Sequence, residues 1–240
     1  DKNLVDAEKM LGILGHDGFS FVDDENEADV IVINTCCFIG DAKEESVNTI
    51  LEMARLKETG RLKALVVTGC LAQRYREEII KEIPEVDAIL GTASYEEIGR
   101  AVREALEGRR TENFKDIDAP VSETTDRTVT TGGHYAFLKI AEGCDKRCTY
   151  CIIPYLRGKY RSVPMEQLVK EAGELAQKGV KELILVAQET TLYGKDLYGK
   201  KMLPELLKKL CAISGLQWIR LQYCYPEEIT DELIDTIRTE

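Results

Sequence analysis

Short apolar runs alternate with stretches of helical period through the first part of the chain. Leu4, Met10, Leu11 and Leu14 share one helical face that Gly15 ends, and Val47, Ile50, Leu51 and Ala54 mark a second helix that stops near Gly60. Residues 30–33 form an unbroken Val-Ile-Val-Ile run, residues 64–68 a second run and residues 86–90 a third, each of the length of a buried strand. A helix over residues 74–82 separates the last two. Ser94 and Glu97 have the spacing of a capping box ahead of Ile98, Val102 and Leu106. Largely apolar strands alternating with helices predict an α/β domain with a doubly wound parallel sheet over residues 1–108.

Residues 109–133 carry no sustained apolar period and many Thr, Asp and Glu, and read as a linker. The alternation then resumes with a strand over residues 134–140. Ser162 and Pro164 open a helix whose Leu168, Val169, Ala172, Leu175 and Ala176 form one face and which Gly179 stops. A strand over 182–187, a helix over 204–213, a strand over 218–223 and a last helix capped by Thr230 follow. These three βα units over residues 134–240 predict a partial (β/α) barrel, its N-terminal half, because three strands cannot close one.

Candidate chemistry sits on this frame. Cys144, Cys148 and Cys151 fall within eight positions, in a loop delivered by the strand at 134–140. Zinc sites usually bring ligands in pairs, and no second Cys-x-x-Cys or nearby His pair is present. A tight run of thiolates suits an iron–sulfur cluster, and three in place of four leave one iron open to an outside ligand. A zinc site or a plain electron-transfer cluster is the competing reading. Ligands of open α/β sheets gather at the carboxyl ends of strands, where Cys36 follows the first run and Cys70 the second. Each taken singly is as readily a buried core residue. Cys37, adjacent to Cys36, reads as core or an occasional substitute. Cys211, on a helix, reads as core filling, while Cys224 at a strand end is left open. Residues 188–199 begin at the carboxyl end of the second barrel strand, where barrel sites are built, so Gln188, Glu189 and Thr190 become candidates. The plain alternative for Glu189 is a solvated loop carboxylate.

Composition narrows the picture. The chain has 240 residues, 44% of them apolar, and no apolar run approaches the length of a membrane span or a signal peptide. The expected location is therefore cytoplasmic, where cysteine clusters read as metal ligands before disulfides. A net charge of −11 argues against broad neutralisation of nucleic acid phosphates and for a basic partner. Against that background residues 144–161 carry Lys146, Arg147, Arg157, Lys159 and Arg161 against one acid, Asp145. They either offset a thiolate-ligated cluster or receive a carboxylate of a substrate or cofactor.

The run Cys144-x-x-x-Cys148-x-x-Cys151, with Tyr150 before its last Cys, resembles the signature of radical S-adenosylmethionine enzymes. Continued through Cys-Ile-Ile-Pro-Tyr-Leu-Arg-Gly-Lys-Tyr-Arg-Ser, residues 151–162, it is similar to the methylthiotransferase family. Asn34-Thr-Cys-Cys-Phe-Ile and Thr68-Gly-Cys-Leu-Ala-Gln resemble that family's N-terminal domain, which implies a second 4Fe-4S cluster held in part by Cys36 and Cys70. The family carries the third ligand of that cluster directly ahead of the residues matching Asp1 onward, so the expectation is a clipped N-terminus and an incomplete second site. The resemblance implies that the open iron of the first cluster chelates S-adenosylmethionine. Tyr150 would set the adenine through its backbone, with aromatic packing as the alternative, and Glu189, supported by Gln188 or Thr190, would take the ammonium. No catalytic side chain beyond the cluster ligands is implied.

Residues 188–199 and the opening residues 1–6 look like the RimO branch of the family, which methylthiolates an aspartate of small-subunit ribosomal protein twelve. Glu189 stands where that branch has Asp, one methylene shorter. The branch acting on isopentenyladenosine of tRNA and a non-catalytic metal-binding module are the alternatives. The chemistry implied is cleavage of one S-adenosylmethionine, hydrogen abstraction from an unactivated carbon, insertion of sulfur from the second cluster and methylation by another S-adenosylmethionine. A flavodoxin- or ferredoxin-type reductant and a sulfur donor are the implied partners, with no membrane and no direct nucleic acid contact. The family's barrel has six strands and is followed by a small β domain.

Overall fold

The computed structural model describes residues 1–121 and 127–240, so the part of the expected linker at 122–126 lies outside the described residues. The chain forms two compact units. One comprises Lys9–Ala119 with Thr149–Arg157, the other Asp1–Glu8, Pro120–Cys148 and Gly158–Glu240. The opening helix α1 (Lys2–His16) contributes residues to both.

In the first unit β1 (Val30–Thr35), α2 (Gly40–Thr59), β2 (Ala64–Gly69), α3 (Cys70–Arg74), α4 (Arg76–Glu82), β3 (Ala88–Leu90), α5 (Ile98–Leu106) and β4 (Thr111–Asn113) follow in sequence, and α6 (Ile153–Arg157) joins from later in the chain. The four strands are parallel, in the order β1-β2-β3-β4. Every residue of β2 is buried, as a largely apolar strand covered on both faces should be. Leu65, Val67 and Ile89 pack in one core with Ile50 and Ala54 of α2, Ile79 of α4 and Leu156 of α6. Ala64, Val66, Ala88 and Leu90 alternate to the opposite face, and α5 lies against β2 and β3 with Ile98, Ala101, Val102 and Ala105 buried. Burial of each such large aliphatic side chain contributes about 2 kcal/mol.

Three local expectations are corrected. Ser94 does not cap α5: its hydroxyl accepts from Lys115 N at 2.9 Å, and a 3₁₀ turn over Tyr95–Glu97 precedes the helix. Thr111–Asn113, within the stretch read as linker, is a sheet strand although its three residues are polar. Leu51 and Leu106, assigned to core faces, are exposed.

The second unit holds β5 (Tyr135–Lys139), β6 (Ala141–Glu142), β7 (Arg161–Ser162), α7 (Met165–Gln177), β8 (Glu182–Val186), α8 (Lys195–Tyr198), α9 (Leu203–Cys211), β9 (Trp218–Leu221) and α10 (Asp231–Thr239). Its parallel sheet has the order β5-β8-β9, with β6 and β7 a separate antiparallel pair. Leu138, Leu183 and Leu185 of the sheet bury against Leu168, Ala172 and Leu175 of α7 and Leu206 and Leu210 of α9. Thr230 caps α10 as the sequence indicates, accepting from Leu233 N at 3.2 Å. Cys211, expected as core, is instead exposed at the C-terminal end of α9. The buried Arg127 guanidinium meets Glu8 at 2.5 Å and Glu171 at 3.1 Å, tying the start of α1 into this unit. Among the described residues no helix is long and apolar enough to cross a membrane.

Candidate metal and cofactor site

The cysteine loop leaves β6 through Gly143, whose φ of +74° is a left-handed conformation. A Cβ there would lie 1.9 Å from the Lys159 carbonyl oxygen and 2.5 Å from that of Gly158, so only glycine allows the two backbone segments to approach. The approach is fixed by Cys144 N donating to Gly158 O at 3.1 Å and by Tyr160 N donating to the Asp145 carboxylate at 3.2 Å. Arg147, with φ +47°, turns the chain between Cys144 and Cys148. Cys144, Cys148 and Cys151 are in no disulfide and are half-buried, as reactive or ligating thiols must be, and the side chain of Tyr150, next to Cys151 in the chain, is 86% exposed. Among the described residues no three Cys, His, Asp or Glu side chains converge closely enough to hold a metal ion as they stand. Thiolate ligands ordinarily gather as the metal binds, and the loop supplies the donor set for that step. Three thiols of this chemistry fit an iron–sulfur cluster with one open iron.

The segment after β8 carries the other candidates. Glu189 is buried, and its Oε1 accepts from Thr191 N at 3.2 Å, from the Thr191 hydroxyl and from Tyr225 N at 3.3 Å. Its Oε2 lies 3.8 Å from Nζ of Lys146, a residue of the cysteine loop. It is therefore a bound carboxylate and not a solvated loop acid. Lys146 also pairs with Glu228 at 3.0 Å, and Lys201 pairs with the other Glu228 oxygen at 2.8 Å. These two ammonium groups, Lys201 foremost, hold the Glu228 carboxyl down to about 2. Burial, and then the Glu189 charge, raise the Cys224 thiol. Thr190 is buried and donates to Gln222 O. Arg157, Lys159 and Arg161 do not form one exposed cationic patch: Arg157 is buried, and Arg161 donates to the Lys159 carbonyl at 2.7 Å.

Gln188 has a different environment. Its Nε2 donates to Glu142 Oε1 at 3.1 Å, while its Oε1 is out of solvent contact and has no hydrogen-bond partner. Glu142 Oε2 pairs with Lys139 at 2.8 Å, and Lys139 in turn meets Asp6 of α1. Glu142, Lys139 and Asp6 are absent from the sequence reading. The signal available was Lys139 itself, a charge inside an otherwise apolar strand that has to find a buried counter-ion.

Away from the cysteine loop in sequence, the register pairs Thr35 with Gly69, so Cys36 and Cys70 are the residues that directly follow two neighbouring parallel strands. Gly69, at φ +94°, makes the approach possible, since a Cβ there would sit 2.5 Å from Thr35 O. Cys36 is held by Ser46, whose hydroxyl accepts from Cys36 N at 3.0 Å and donates to Cys36 O at 2.9 Å. Cys37 is buried and donates to Cys70 O at 3.2 Å, and burial, then the neighbouring Cys70, push its thiol up to about 11. A protonated, inward thiol is core packing, in keeping with the sequence reading of Cys37.

Residues 1–91 match the model of Uncharacterized protein family UPF0004, and residues 138–239 match that of the Radical SAM superfamily. A protein of Lachnoclostridium phytofermentans named ribosomal protein uS12 methylthiotransferase RimO is 68% identical over 240 residues, all of this chain and 54% of its own length. One of the same name from Clostridioides difficile is 55% identical over 237 residues, covering 99% of this chain and 53% of that protein. The chain thus spans about half the length of the curated relatives it matches. Among solved structures, the radical S-adenosylmethionine methyltransferase TsrM from Kitasatospora setae, with tryptophan and a cofactor analogue bound, aligns with a TM-score of 0.62 at 14% identity over 98% of this chain and 54% of that one. The cobalamin-dependent radical enzyme OxsB aligns at 0.56 and 12% identity over 98% of this chain and 38% of that one. These two likenesses establish the fold.

Proposed function

The chain belongs to the RimO branch of the radical S-adenosylmethionine methylthiotransferases, and from that premise we propose that its protein transfers a methylthio group to an aspartate β-carbon of ribosomal protein uS12. The observation that carries the proposal is the 68% identity, over the whole chain, to a relative bearing that name. Cys144, Cys148 and Cys151 supply the three thiolates of a 4Fe-4S cluster, and Cys36 and Cys70 contribute to a second. When bound, such clusters supply the electron that cleaves S-adenosylmethionine and the sulfur that is inserted. The chain's own part is placement. Gly143 brings the loop against residues 158–159, Tyr150 offers its backbone to the adenine, and Gln188, Glu189 and Thr190 at the end of β8 receive the ammonium of the methionine moiety. Glu189 does so alongside Lys146, and Gln188 through its unpartnered carbonyl oxygen. A flavodoxin- or ferredoxin-type reductant and a sulfur donor complete the reaction in the cytoplasm.

The test is mass spectrometry of uS12 and of tRNA after incubation with the intact enzyme, S-adenosylmethionine, a sulfur source and a reductant. Methylthio mass on the uS12 aspartate supports the assignment. Mass gained on a tRNA adenosine, with uS12 unchanged, replaces it with the tRNA activity.

A further inference from the structure

We propose that Glu142 is a positioning residue that sets the direction of the Gln188 side-chain amide, so that Gln188 Oε1 faces the bound methionine ammonium as an acceptor. The proposal rests on the reading of Gln188 given above and explains how that acceptor is produced. An amide can sit in either of two orientations of nearly equal shape, and its neighbours decide between them. Here the deciding neighbour is a carboxylate. Glu142 Oε1 accepts from Gln188 Nε2 at 3.1 Å and from Gly143 N at 3.2 Å, and a carboxylate cannot donate in return. The NH₂ side of Gln188 is therefore fixed toward Glu142, and Oε1 is left as a buried acceptor with no partner. Leaving such an atom unpaired is costly, and an incoming N–H donor removes the cost.

The carboxylate is itself held in place. Lys139 binds Glu142 Oε2 at 2.8 Å, and Asp6 is the second partner of Lys139, so the charge of Glu142 stays buried and compensated. Glu142 also precedes Gly143 and Cys144 directly, which links the start of the cysteine loop to the end of β8 through one side chain.

Glu142→Gln makes a specific prediction. Lys139 retains the carbonyl oxygen of the new amide, so the new NH₂ points at Gln188. Gln188 must then turn its own oxygen toward residue 142 and its NH₂ toward the cofactor ammonium, placing donor against donor. In the intact, anaerobically reconstituted protein, affinity for S-adenosylmethionine measured by equilibrium dialysis should fall about tenfold in Glu142→Gln and about tenfold in Gln188→Ala. The double variant should bind as Gln188→Ala does, because no amide remains to be misdirected. Iron and sulfide content should stay at the wild-type level throughout. A fall caused by Glu142→Gln that is equally large in the Gln188→Ala background, or that comes with lost iron, overturns the proposal in favour of a plain loop anchor. Wild-type affinity in Gln188→Ala refutes the reading of Gln188 itself, and the positioning role with it. Glu142→Asp keeps a carboxylate beside Lys139 and so keeps the direction of the amide, and its affinity should stay near the wild-type level. A tenfold fall in Glu142→Asp that is equally large in the Gln188→Ala background overturns the proposal even if Glu142→Gln does not fold.

Discussion

Cys144, Cys148 and Cys151 lie on one irregular loop, held by backbone bonds around Gly143 and by the ionic side chains of Lys146 and Glu142, whereas Cys36 and Cys70 come from distant parts of the sequence and directly follow β1 and β2, which pair in register. The loop thiols are half-buried and not gathered into a cage. The strand-end thiols follow two strands whose pairing is already fixed by the core. A donor set made by local spacing leaves its final geometry to the metal, while one made by sheet register inherits its geometry, and its stability, from the sheet.

The largest effect that tests this contrast is loss of a loop cysteine. Outer partners of metal ligands cost ten- to a hundredfold when removed, so Cys148→Ala should lower methylthio product by more than about a hundredfold and remove most of the iron bound at the loop. The unfolding midpoint of the ligand-free chain in urea should not move, because Cys148 belongs to no core. A large loss of ligand-free stability would show that the loop is as pre-formed as the strand ends.

Next in size is Gly69→Ala. The substitution forces a side chain into a left-handed conformation and against the Thr35 backbone, and should cost about 3 kcal/mol in denaturant unfolding. Gly108→Ala is the control: its φ is +77°, but nothing lies within 4 Å of the added carbon, so only the conformational cost of about 1 kcal/mol remains. Equal costs at the two positions would mean that close approach of β1 and β2 is not what the strand-end pair depends on.

Smaller again is the exchange of roles between adjacent thiols. Cys37→Ala should cost roughly 1 kcal/mol, as trimming a small buried side chain does, and leave metal binding at this end unchanged. Cys36→Ala should lower iron content with little effect on stability. The reverse pattern, read by iron analysis and urea unfolding of the intact protein, would make Cys37 the ligand and Cys36 the packing residue.

The same contrast governs what could be read from the sequence. The loop cysteines were legible because their spacing is local, and β1, β2 and β8 because unbroken apolar runs announce buried strands. Cys36 and Cys70 were legible only after those strands had been placed. Thr111–Asn113 was not, since polar residues join the sheet through backbone pairing with β3, which leaves no side-chain pattern. Ser94 misled because a tertiary partner, Lys115 N, took the hydroxyl that the local motif assigns to a helix start. The chain from Asp6 through Lys139 and Glu142 to Gln188 joins residues far apart in sequence, and only Lys139, a charge within an apolar run, points to it.

The smallest effect concerns the ionic side of the loop. Lys146 bridges the loop to Glu228, which Lys201 also holds, and the Glu228 carboxyl is depressed from the ordinary value of 4.5 to about 2. A depressed carboxyl favours the folded state when ionised. Its contribution is therefore complete above the unfolded value, shrinks as pH falls through the window between about 4.5 and 2, and is gone below it. Glu228 remains partly open to solvent, so screening keeps the contribution to about 1 kcal/mol or less. For a chain of this size that corresponds to roughly 2 °C in melting temperature. Wild type should accordingly melt about 2 °C above Glu228→Gln at pH 6, with the gap closing toward pH 3 and narrowing at neutral pH in high salt. No comparable acid-sensitive gap should follow Ser46→Ala at the strand ends, where Cys36 is held by neutral hydrogen bonds. A gap for Glu228→Gln that persists unchanged into acid would show that the loop is held there by packing and not by charge, and the two cysteine groups would then be built alike.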